Sequence, residues 1–80
     1  MRYRLDKAVC GFITQCEMLG CSSDVEALKA FANDELVYAD SHRWTGQWQT
    51  LPKEQAVATR GWESFGGHHG GFYRITCMVQ

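Results

Sequence analysis

Apolar and charged residues alternate at the start of the chain, where Met1, Tyr3 and Leu5 are interleaved with Arg2, Arg4 and Asp6. A period of two predicts a strand with one buried and one wet face. The run Phe72-Tyr73-Arg74-Ile75-Thr76-Cys77-Met78-Val79 is rich in aromatic and β-branched residues and has strand length. Tyr73, Ile75, Cys77 and Val79 are expected on its inner face, and the first and last strands are expected to pair.

Between them the period changes. Val25, Leu28, Phe31 and Ala32 recur at three and four residues, which predicts one apolar stripe on a helix over about 24–33. Ser23 and Glu26 have the spacing of a capping box at its start. Residues 8–19 fit either a helical stripe or a strand, and the strand is preferred because Phe12-Ile13-Thr14 is β-forming and Gly11 disfavours a helix interior. Leu36-Val37-Tyr38-Ala39 reads as a short strand. Pro52, followed by Lys53-Glu54-Gln55-Ala56, is a candidate start for a second short helix stopped by Gly61, although Ala56 to Phe65 fits a strand equally well. Glycines 66, 67, 70 and 71 bracket His68-His69, so Trp62 to Phe65 and the last strand are expected to form a hairpin with that pair at its tip.

These elements predict an α+β domain, a small antiparallel sheet of three to four strands packed by one main helix, spanning residues 1–80 as a single unit. Eighty residues can enclose only one core. With 45% hydrophobic residues and 21% charged ones the chain is too apolar for a disordered segment. Such a small core leaves little margin of stability, which keeps homodimerisation open.

A formal charge of −1 supplies no general attraction to phosphate backbones or anionic membranes, so nucleic acid is not favoured as a partner. No apolar run reaches the roughly 18 residues of a membrane span. The opening residues also lack a signal peptide's apolar core, and the expected compartment is the cytoplasm. Cys10, Cys16, Cys21 and Cys77 are then expected to be reduced, buried thiols, since their spacing does not pair into zinc knuckles.

No complete catalytic or cofactor motif is present, so no enzyme activity and no cofactor are expected. His68 and His69 are the one alternative, as adjacent imidazoles could bind a metal or serve a nuclease, yet flanking glycines do not preorganise either ring. Trp44 and Trp48 stand among polar residues and are candidate contacts to a protein partner. Arg2, Arg4 and Arg74 join them, because pairing of the terminal strands would gather these arginines on the outer sheet face.

Tyr3, Gly11-Phe12, Cys16-Glu17, Leu19-Gly20-Cys21, Ser23 and Glu26-Ala27-Leu28 resemble the opening β-β-α segment of HicB-like antitoxins. That resemblance, over residues 3–28, implies a partial RNase H-like sheet and a role in neutralising a small RNase toxin. In size and layout the chain is also similar to phage-encoded inhibitors of bacterial defence, anti-CRISPR proteins included. Both resemblances imply a protein that acts by binding and occluding another protein.

Overall fold

The computed structural model describes residues 1–10, 15–37, 42–50, 56–64 and 70–78. Six strands form one antiparallel sheet: β1 (Arg2–Val9), β2 (Gln15–Ser22), β3 (His42–Trp44), β4 (Gln49–Thr50), β5 (Ala56–Ser64) and β6 (Gly71–Met78). Among the described residues one helix, α1 (Val25–Val37), lies between β2 and β3 in sequence. The strand order is β2-β1-β6-β5-β3, with β4 also paired to β5.

The first and last strands do pair, in the middle of the sheet, from Arg2 opposite Met78 to Val9 opposite Gly71. Residues directly opposite each other share a face. Leu5 and Ile75 therefore point the same way, as do Lys7 and Tyr73. Leu5, Tyr73 and Ile75 are fully buried and form one core with Trp62 and with Leu28, Ala32 and Leu36 of α1. The inner face is thus the one that α1 covers.

The α+β expectation is corrected. Among the described residues the protein is mostly β, 64% strand against 21% helix, and the sheet has six strands instead of three or four. The additional strands come from the middle of the chain. Ala56–Ser64 is strand β5, which overrules the helical reading of Ala56 to Ala58; the proposed start of that second helix, at residues 52–55, lies outside the described residues. Gly61, which would stop a helix, here sits opposite Phe72 with Thr45 Oγ1 where a Cβ would project.

The helix is longer than expected and differently capped. Asp24, not Ser23, is the N-cap: its Oδ1 accepts from the Glu26 amide at 3.0 Å, and its carbonyl accepts from Leu28 at 3.3 Å. Ser22 Oγ in turn accepts from the Asp24 amide at 3.0 Å. The buried stripe continues through Leu36, so Leu36 and Val37 are helical and not a strand; Tyr38 and Ala39 lie outside the described residues. Phe31, expected in the stripe, is 52% exposed, because the stripe that meets the sheet is Leu28, Ala32 and Leu36. The four cysteines are free thiols, but Cys10 and Cys16 are exposed and Cys21 and Cys77 half-buried, which corrects the expectation of burial.

Glycine is required where β1, β5 and β6 meet. A Cβ on Gly71 would collide with the carbonyl oxygen of Ala8 and approach Cζ2 of Trp62 at 2.9 Å. Gly71→Ala is expected to destabilise the protein by about 1–3 kcal/mol through overpacking, while Leu28→Ala should cost about 2–5 kcal/mol through loss of core contacts. Urea denaturation monitored by far-UV circular dichroism measures both; a wild-type midpoint for Leu28→Ala would place that side chain outside the core.

Candidate partner interface

Two groups of side chains stand out, one on each face of the sheet. On the inner face, cations are packed among aromatic rings. Lys7 Nζ donates to Glu35 Oε1 of α1 at 3.3 Å and sits 5.4 Å from the Trp62 ring and 5.8 Å from the Tyr73 ring. Arg60 stacks its guanidinium 4.1 Å from the Trp44 ring, donates through Nη1 to Asn33 Oδ1 at 3.0 Å and through Nε to the Gly46 carbonyl at 2.6 Å. Burial lowers the Arg60 pKa from its ordinary value. Lys29 lies 6.0 Å from the Trp48 ring.

Trp44 and Trp48 belong to this cluster. Both are half-buried and packed against the core, with ring centroids 6.0 Å apart and Trp44 5.3 Å from Tyr73. Tyr73 donates its hydroxyl to Glu35 at 3.5 Å. Desolvation, the Glu35 charge and this hydrogen bond all push its pKa up, so Tyr73 stays protonated and acts as a donor.

The outer face carries different residues. The β1–β6 register sets Arg2, Arg4 and Asp6 on the same side as Met78, Thr76 and Arg74. The β1–β2 register adds Cys21, Met18 and Cys16, with a bulge between Leu5 and Asp6 that restores the phase. The β5–β6 register adds Thr59 opposite Arg74 and Gly61 opposite Phe72. Arg2, Arg4 and Arg74, the arginines named from sequence, are thus gathered on one face, while Trp44 and Trp48 lie on the other.

Sequence reasoning missed the apolar part of this face, Met18, Phe72 and Met78, of which Met18 is 60% and Met78 39% exposed. Counting two residues at a time from Arg74 would have found Phe72 and Met78. Asp6 is the acid that divides the arginines. It is buried, accepts from Arg4 Nε at 3.0 Å, and stands directly opposite Arg74. Arg74 Nε is itself buried and without a hydrogen-bond partner among the described residues. The remaining N–H groups of such a guanidinium, beside apolar side chains, can donate to a partner's carboxylate or carbonyl oxygen. Farther out, Arg43 and Glu63 form an ion pair across β3 and β5.

His68 and His69 lie outside the described residues, so the alternative reading of that pair has no geometry to weigh. Among the described residues no group of three or more His, Cys, Asp or Glu could hold a metal ion, and no helix is long and apolar enough to cross a membrane. Comparison with known families, curated proteins and solved structures gives no match.

His42 is the titratable group whose state should affect folding. Its ring stacks on Trp62 at 4.4 Å and its Nδ1 is buried without a partner among the described residues. Burial, then the Lys7 charge, lowers its pKa below the usual 6.5. The unfolded chain therefore binds this proton more readily than the folded one. The resulting stability is present above the unfolded pKa and is lost as pH falls through it toward the folded value. The urea midpoint should fall between about pH 7.5 and about pH 5.5 in the wild type, and less so in His42→Gln. Equal slopes for the two proteins would show that His42 does not carry the effect.

Proposed function

We propose that this protein is a small non-enzymatic inhibitor or regulator that binds another protein and occludes its working surface. The observation that supports the reading is the outer sheet face, where Arg2, Arg4 and Arg74 stand among Met18, Phe72 and Met78 with no helix of the described residues packed over them. Arginine beside exposed apolar side chains is the composition of an interface centre, where a few residues supply most of the binding energy. Both kinds of protein that the sequence resembles, antitoxins and phage-encoded defence inhibitors such as anti-CRISPR proteins, act in this way.

The partner is a protein with carboxylates placed to meet Arg4 and Arg74 around an apolar contact. Asp6 neutralises part of the arginine charge, which favours a discrete acidic site over the long phosphate run of a nucleic acid. Trp44 and Trp48 serve this function indirectly, by holding the inner face together beneath the binding surface.

The test is affinity capture from host extract, followed by titration of the captured partner with purified variants. Arg74→Ala combined with Arg2→Ala should weaken binding by about 2 kcal/mol per hot spot and leave the circular dichroism spectrum unchanged. Trp44→Ala should lower thermal stability as well as binding. The pair His68→Ala and His69→Ala should bind as the wild type does. If the arginine variant binds with undiminished affinity, the outer face is not the interface; if the histidine variant alone loses function while folded, the binding reading fails.

A further inference from the structure

We infer that β2 is a docking edge for a second copy of this chain, the two β2 strands pairing antiparallel about Met18 to join two sheets into one. The inference stands apart from the occlusion reading and rests on the unequal edges of the sheet. One edge is built in pieces from β3 and β4, three and two residues long, which flank β5. The other is β2, eight residues long, as long as β1 and β6 beside it, and paired only to β1 among the described strands.

A free edge presents a row of unpaired amide and carbonyl groups, a template for another strand. Proteins commonly blunt such edges with lysine, proline or an inward charge. Gln15-Cys16-Glu17-Met18-Leu19-Gly20-Cys21-Ser22 contains no Lys, Arg or Pro, and its one inward charge, Glu17, already faces Lys7 of β1. Gln15 to Met18 are all exposed, and pairing about Met18 sets them opposite Met18 to Cys21 of the second copy, the stretch that holds the strand's bulge near Leu19.

The occupant follows from the chemistry of the strand. An antiparallel edge is complementary to itself, so a two-fold axis through it satisfies both copies at once. Glu17 is its one charge and already stands opposite Lys7 of β1. Pairing about Met18 puts Glu17 opposite Leu19 of the second copy, so the two carboxylates do not face each other. Met18, 60% exposed, would meet Met18 of the second copy and bury apolar surface that the monomer leaves in water. A net charge of −1 offers almost no repulsion between copies. Because the axis is perpendicular to the sheet, both helices fall on one side and both arginine faces merge on the other.

Sedimentation velocity over a concentration series from micromolar upward tests this on the purified chain. The wild type should reach twice the monomer mass, Met18→Lys should remain a monomer with an unchanged circular dichroism spectrum, and Phe31→Lys, on the exposed side of α1, should still dimerise. Hydrogen exchange of the wild type supplies a readout without mutation: amides of Gln15 to Met18 should gain protection as concentration rises. A wild type that is monomeric throughout overturns the inference, even if its β2 edge captures a foreign strand. So does a dimer broken by Phe31→Lys and not by Met18→Lys, or one that forms without added protection in β2.

Discussion

The pairing of β1 with β6 is the interaction on which the rest of the structure depends. These strands are far apart in sequence and adjacent in space, and their register holds without a shift from Arg2 opposite Met78 to Val9 opposite Gly71. Each then carries one further strand, β2 on β1 and β5 on β6. The largest fully buried side chains, Leu5, Tyr73 and Ile75, all belong to this central pair. Because side chains alternate with a period of two, the same register that buries those three also puts Arg2, Arg4 and Arg74 on the opposite face. A slip of one residue would bury the arginines and expose the core, so the arginine face and the core are specified by a single choice.

The distribution of cations follows from the same geometry. Lys7 and Arg60 lie on the covered face, where a charge must find partners or lose its hydration without return. Glu35 serves Lys7, Asn33 and the Gly46 carbonyl serve Arg60, and the rings of Trp62, Tyr73 and Trp44 supply a polarisable surround. Those cations are consumed by the fold. Arg74 on the open face has a buried Nε that nothing among the described residues satisfies. Net charge alone conceals this difference, since both sets of cations contribute equally to a total near zero.

How much of this could be read from the chain depends on element length. β1 and β6 span eight residues each and show their period plainly, and α1 shows Leu28 and Ala32 at helical spacing. β3 and β4 are too short for any periodicity to emerge, and their stabilisation comes from β5, a partner distant in sequence. β5 was obscured by its own composition. Ala56 and Ala58 follow a proline and charged residues, as at a helix start, while Arg60 occupies an inward position where a sequence reading expects an apolar residue. Its stacking on Trp44 makes that position acceptable, and this contact is invisible until the sheet is assembled. The arginine face was legible because it needed only β1 and β6; the position of Trp44 was not, because it needed β3, β5 and α1 together.

The abundance of tryptophan has a structural cause in the disproportion between one helix and six strands. Thirteen helical residues extend about 20 Å, and five strands at about 4.8 Å spacing span a similar width, so α1 can reach from one edge of the sheet to the other. It does touch both β2 and β3, as well as β1 and β6. A helix is only about 10 Å across, however, while an eight-residue strand is about 27 Å long, so a band of the inner face lies beyond its cover. Trp44, Trp48, Trp62, Tyr73 and His42 fill the inner face together with α1, stacked on one another and bridged by Lys7 and Arg60. Among the described residues the indole nitrogens of Trp48 and Trp62 and Nδ1 of His42 are buried without partners. Each such group costs about 1–3 kcal/mol if it stays unsatisfied. In a domain of this size that is a substantial fraction of the whole stability.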